Sequence, residues 1–263
     1  MSRTLIMTGA LLCAAVIPAL ADQWTKTFTV GATPRLRVET SDASVTVRPG
    51  AGNKIQARVY TSGWKLGPGE VQVTDHQTGD LVEIEVKFPL RVDFFNFKER
   101  WARIEVEVPV ATAVDVHTGD GSIHAADLHG RLHLVSHDGS IEGEGLEGAL
   151  DASSGDGHIK VRGKFTGLDL RSGDGGIEAE VLPGSRMAGS WTVHTGDGSV
   201  TMRLPDGFAA DVDAHTGDGH ITVDLPLTTE GSPHEHELLG KLNGGGAALT
   251  IHTGDGSLHL LRL

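Results

Sequence analysis

His117-Thr118-Gly119-Asp120-Gly121-Ser122-Ile123 decides the fold, because it returns with small changes down the whole second half of the chain. The copies centre on Asp120, Asp138, Asp156, Asp174, Asp197, Asp218 and Asp255. The first three steps between them are 18 residues each, and the later ones are 23, 21 and 37. A fixed period of about 20 residues marks a stacked repeat architecture. The residue after each Asp is glycine: Gly121, Gly139, Gly157, Gly175, Gly198, Gly219 and Gly256. The residue before is glycine in six of seven copies, His137 being the exception. Two before the Asp stands Ser or Thr, and three after it a branched aliphatic, from Ile123 to Leu258.

Gly-Asp-Gly reads as a tight turn, since glycine reaches positive φ without steric cost and Asp bonds its own backbone. The flanks alternate with period two, as in Leu132-His133-Leu134 and Ile159-Lys160-Val161, which is a half-buried strand. Each repeat then holds two short strands, this turn, and a second turn near Gly130, Gly148 and Gly167. A unit of 18 residues cannot bury its apolar face alone, whereas units stacked at about 4.8 Å can. The expected fold is all-β: a β-solenoid of about seven short coils over 111–263, with 22–110 as an N-terminal antiparallel β cap. A meander of hairpins is the competing arrangement. The seven glycines after the Asp are expected to be structural turn residues.

Residues 1–21 read as a signal peptide. Arg3 supplies the positive start, an apolar core follows, and Ala19-Leu20-Ala21 is the small-residue cleavage site. The expected location is extracytoplasmic: periplasm, cell surface or secreted. The only cysteine, Cys13, lies inside this leader, so packing and strand ladders must supply the stability. No later apolar run is long enough for a transmembrane span. Of 22 basic residues Arg3 goes with the leader, leaving 21 against 35 acidic and a net charge of −14. That excludes nucleic acid and anionic lipid as favoured partners.

Between 22 and 110, strand patterns recur at 28–30, 36–38, 45–47, 55–59, 71–73, 82–86 and 104–108, with turn residues such as Pro49-Gly50-Ala51-Gly52-Asn53 between them. Thr40-Ser41-Asp42-Ala43-Ser44-Val45 looks like a decayed copy of the repeat. With Val38-Glu39-Thr40-Ser41-Asp42-Ala43-Ser44-Val45-Thr46-Val47, the Glu105-Val106-Glu107-Val108-Pro109 lead-in, the TGDGS copies and Gly240-Lys241-Leu242-Asn243-Gly244-Gly245-Gly246, the chain resembles the bacterial putative-adhesin β-strand repeat family, a domain of unknown function. The resemblance covers nearly all of 30–263. It implies an exported β-solenoid, an adhesion or envelope role, and no established catalytic residues.

The chemistry on offer is sparse. In-register stacking would set the turn carboxylates near 5 Å apart, repelling by roughly 0.8 kcal/mol in water, and a Ca²⁺ ion would relieve that. The expectation is instead solvated turn residues and no metal, with a Ca-stabilised structural roll as an alternative. His117, His194, His215 and His252 share one column before the Thr, and His194 and His215 lie in successive copies and so are candidates to stack. Outward strand positions are the expected reading, not a metal site. His234-Glu235-His236-Glu237 reads as a solvated insertion. There is no Gly-x-Ser-x-Gly elbow and no phosphate loop. A polysaccharide-acting β-helix enzyme, the rival class, needs two carboxylates in distinct environments, which near-identical Asp copies do not provide. The expected function is a non-catalytic binding or scaffolding module of the cell envelope, without cofactor, whose partner is an envelope glycan or protein. The candidate binding surface is Phe94, Phe95, Phe97, Arg100 and Trp101, where four of twelve aromatics are interleaved with basic residues. A hydrophobic lid over the first coil is the competing role for that segment.

Overall fold

A computed structural model of the chain describes residues 22–89, 100–229 and 235–263. The expected leader, and Phe94, Phe95 and Phe97, lie outside the described residues. Every regular element among those described is a strand. β1 (Asp22–Thr29), β2 (Arg35–Thr40), β3 (Ser44–Pro49) and β4 (Lys54–Ser62) come first. β5 (Gln72–Thr78), β6 (Leu81–Lys87) and β7 (Trp101–Val108) follow. The repeats supply β8 (Ala113–Thr118), β9 (Ile123–Ala126), β10 (His129–Ser136), β11 (Ile141–Ser154), β12 (Ile159–Ser172) and β13 (Ile177–Val181). Then come β14 (Trp191–Thr195), β15 (Val200–Leu204), β16 (Ala210–Thr216), β17 (Ile221–Val223), β18 (Leu227–Thr229), β19 (Glu237–Leu242), β20 (Ala248–Thr253) and β21 (Leu258–Arg262).

These strands form two parallel ladders. The first runs β6-β2-β8-β10-β11-β12-β14-β20-β16. The second runs β7-β3-β9-β11-β12-β13-β15-β21-β17. A rung is one strand of the first ladder, a short link, and one strand of the second. β11 and β12, 14 residues each, end one rung and begin the next. At Gly148, φ 124°, the expected second turn is therefore a bend inside a continuous strand, whereas Gly130, φ 132°, lies at the start of β10 after the break that follows β9.

Alternation makes the core. Val116, Leu134, Ala152 and Leu170 point inward from the first ladder, and Ile123, Ile141, Ile159, Ile177, Val200 and Leu258 from the second; all are buried in one continuous cluster. Full burial of each large aliphatic is worth about 1.5–3 kcal/mol. That is how a chain whose one cysteine is Cys13 builds a core.

One expectation is corrected. Residues 22–110 do not form a separate antiparallel layer. β2, β3, β6 and β7 are parallel members of the ladders, and antiparallel pairing there joins β1 to β4, β4 to β7 and β5 to β6. The decayed copy at 40–45 stacks directly under the Asp120 turn, with the Asp120 amide donating to the Ser41 carbonyl at 2.8 Å. Chain order and stacking order also part company at both ends. β2 and β3 enter between the β6/β7 and β8/β9 rungs, and β20 and β21 enter between β14/β15 and β16/β17. Each terminal repeat thereby has its backbone groups paired on both sides, while antiparallel β5, β1 and β4 at one end and β18 and β19 at the other lie beyond the parallel run, where bare edges would invite association.

Candidate functional site

The turn column stacks as the repeat demands. Asp138 N–H donates to Gly119 O at 3.0 Å and Asp156 N–H to His137 O at 3.1 Å. The glycine after each Asp is needed for closeness rather than for positive φ. A Cβ on Gly139, Gly157, Gly175 or Gly198 would lie 2.1–2.3 Å from the carbonyl oxygen of the glycine one rung below. The same holds up to Gly256 over Gly198 and Gly219 over Gly256, and Gly121 sits as close over Ala43. The glycine before the Asp is less crowded, at 2.5–2.6 Å, and there the chain accepts His137.

Beneath the turns runs a buried hydroxyl ladder. Ser136 Oγ donates to Gly121 O at 3.0 Å and accepts from Gly139 N–H at 2.9 Å. Ser154 repeats this between Gly139 O and Gly157 N–H, both at 3.0 Å. Ser172, Thr195, Thr253 and Thr216 continue the series of donors. A hydroxyl is the only small side chain that both donates and accepts, hence Ser or Thr in every copy.

The histidine column is rearranged by the swapped order of the last rungs. His194 and His215 are not neighbours: His252 lies between them, with ring centroids at 5.2 and 5.0 Å and nearly parallel planes. Burial lowers the pKa of His252, the charges of His194 and His215 lower it further, and Asp213 opposes them. A histidine with a depressed folded pKa leaves the native state short of protons, so stability is lost as pH falls through the unfolded value of about 6.5. The melting temperature should therefore drop between about pH 7 and pH 5, and His252→Gln should flatten that drop. An equal drop in the variant would show that the stack does not set it. His234 lies outside the described residues, and His236 Nδ1 is 3.0 Å from Gly219 O.

A groove of about 700 Å³ crosses the first ladder from β6 to β12. It is lined by the ladder's aliphatics, from Leu36 to Leu168, and by charged side chains that include Arg37, Asp115, His133, Asp151 and Asp169. Asp115 Oδ1 lies 2.8 Å from His117 Nε2 and 2.9 Å from His133 Nδ1. Arg37 Nε stands 3.8 Å from the other carboxylate oxygen. Burial pushes the pKa of Asp115 up, but the bonds and charges of His133 and His117 outweigh it and hold the carboxyl below its ordinary value. Three rungs on, burial raises Asp169 above its ordinary value; Arg171, at 2.6 Å, opposes and the charge of Asp151 adds. The repeat itself carried the signal for this column. Five residues before the turn Asp, the successive copies read Asp115, His133, Asp151 and Asp169.

Of the expected binding surface, Arg100 and Trp101 are described. Trp101 is 47 % exposed. The Arg103 guanidinium lies 5.8 Å from its ring centroid, and Arg100 lies 4.5 Å over Trp64, which meets Phe88 edge-on at 6.0 Å. An aromatic and cationic edge is thus formed by Trp64, Phe88, Arg100, Trp101 and Arg103 near the end of β6 and the start of β7.

A family model described as Toastrack DUF4097 matches residues 65–261. No curated protein matches. Among solved structures the chain is similar to a putative cell adhesion protein from Clostridium sporogenes, at 12 % identity over 93 % of this chain and 100 % of that one, with a TM-score of 0.45. It is similar to a putative adhesin from Parabacteroides merdae at 12 % identity, over 91 % of this chain and 96 % of that one, TM-score 0.45. A putative lipid binding protein from Parabacteroides distasonis has 12 % identity over 91 % of this chain and 97 % of that one, TM-score 0.41.

Proposed function

The chain belongs to the Toastrack DUF4097 family, and from that premise we propose a non-catalytic, exported binding or scaffolding module of the cell envelope, whose partner is an envelope glycan or protein. Residues 1–21 are its leader, so the mature protein works outside the cytoplasm. Among the described residues no helix is long and apolar enough to cross a membrane. The seven turn-bearing rungs form a β-solenoid that serves as a stiff spacer, closed at its first end by the antiparallel strands β1, β4 and β5. The contact surface is the aromatic and basic segment of the outermost rung, Phe94 to Trp101.

The exposure of Trp101 is the observation that carries this. A lid residue would be buried over the first coil, whereas Trp101 keeps nearly half its surface in water. Interfaces draw their energy from Trp and Arg held at rigid positions, and Trp101 is anchored by its pairing with Ser62 of β4 at the start of β7. Trp101→Ala should change stability by less than about 0.5 kcal/mol and weaken binding to isolated envelope fractions by at least about tenfold; Phe95→Ala added to it should deepen the loss. Early unfolding of the double variant, with normal binding by the protein still folded, would make the segment core and overturn the proposal.

One observation favours the rival class, a polysaccharide-acting enzyme. Asp151 and Asp169 stand in register, and the pKa of Asp169 is raised, as a general acid requires. Sugar release from envelope or plant polymers, abolished by Asp169→Asn, would establish it.

A further inference from the structure

We propose that Asp115, His117 and His133 bind one divalent transition-metal ion, Zn²⁺ foremost, at the edge of the groove on the first ladder. The pleat places Asp115 and His117 two residues apart on the same outward face of β8, and parallel pairing puts His133 of β10 directly opposite Asp115. Their ligand atoms all lie within 4.8 Å of one another. Zinc takes nitrogen and oxygen at about 2.0–2.2 Å, which sets neighbouring ligand atoms a little over 3 Å apart. The separations of 2.8 and 2.9 Å from Asp115 Oδ1 need only small side-chain rotations to admit an ion. Two imidazoles and one carboxylate are a ligand set of borderline softness, suited to zinc and its transition-metal neighbours rather than to Ca²⁺.

Ring orientation separates this cluster from the other histidines. The planes of His117 and His133 cross at 70° with centroids 5.1 Å apart, so their nitrogens converge on one carboxylate. His194, His252 and His215 instead stack within about 21° of parallel, and successive ring nitrogens are set off by a rung. Arg37 beside Asp115 Oδ2 steadies the carboxylate with Oδ1 turned to the imidazoles, the outer support that metal ligands usually have. All three side chains are 35–41 % exposed, which leaves a coordination position open toward the groove for water or for an oxygen ligand. His117 comes from the column before the Thr, and Asp115 and His133 from the column five residues before the turn Asp, so the triad spans two columns and two rungs.

The test is calorimetric titration of Zn²⁺ into the chelator-treated mature protein, with Co²⁺ absorption as a separate reading of the wild type. One saturable equivalent is expected. His133→Ala and Asp115→Asn should each weaken it by at least about tenfold, while His252→Ala leaves it unchanged. These positions face outward, so the variants should keep the wild-type melting temperature, and the Co²⁺ spectrum of the unaltered protein should show low-symmetry coordination by nitrogen. No saturable binding, a Co²⁺ spectrum identical to the aquo ion, or binding unaffected in a His117→Ala, His133→Ala double variant would each overturn the proposal.

Discussion

Gly139→Val is expected to destabilise the protein by at least about 3 kcal/mol, at the upper end of what single substitutions do. A Cβ at this position would meet Gly121 O at 2.2 Å, Gly121 C at 2.4 Å and Ser122 N at 2.8 Å. All three are backbone atoms of the rung below, so no side-chain rotation relieves the clash. The rungs must separate locally, and that breaks the bond from Ser136 Oγ to Gly121 O. For a chain of this size the melting temperature should fall by about 6–12 °C. Gly189→Ala is the matched control, because a Cβ there meets nothing within 4 Å, and its effect should stay within about 0.5 kcal/mol. Equal melting temperatures for Gly139→Val and wild type would mean the column does not set the rung spacing.

Ser154→Ala should cost about 2–4 kcal/mol, although it removes a single oxygen. The change orphans the Gly157 amide and the Gly139 carbonyl together, and each unsatisfied buried group costs about 1–3 kcal/mol. Ser154→Thr is the discriminating partner. Threonine already fills the equivalent position at Thr118, Thr195, Thr216 and Thr253, where its hydroxyl makes the same bonds. The threonine variant should therefore unfold at nearly the wild-type denaturant concentration. If alanine and threonine behaved alike in a urea titration, the ladder of hydroxyls would be incidental to stability.

Much of this architecture is legible in the sequence because a parallel stack is a local rule repeated. Equal 18-residue steps between Asp120, Asp138, Asp156 and Asp174 can only place like over like, so the columns of Gly, hydroxyl and aliphatic follow from counting. The exceptions are informative in the same way. His137 falls where the approach is 2.5 Å or more, and glycine persists where it is 2.3 Å or less. Conformation is harder to read: the glycines after the Asp fit either positive φ or close backbone contact, and the structure shows the contact, those with positive φ lying elsewhere, at positions such as Gly130, Gly145 and Gly148. Close approach of backbones and left-handed φ both select glycine, and a sequence does not separate them.

By itself the sequence determined the all-β class, the repeat, its turns and its buried faces, because these depend on residue type at fixed spacing along the chain. Only the tertiary structure decided the order of rungs at the two ends. Nothing in residues 35–49 says that β6 and β7 will lie outside them, nor that His252 will part His194 from His215. Every rung offers the same hydrogen-bonding edge, so local pattern cannot choose between neighbours. The choice falls to how the whole chain pairs the edges of its terminal repeats, and the groove with Asp115, His117 and His133 is built from neighbours so chosen.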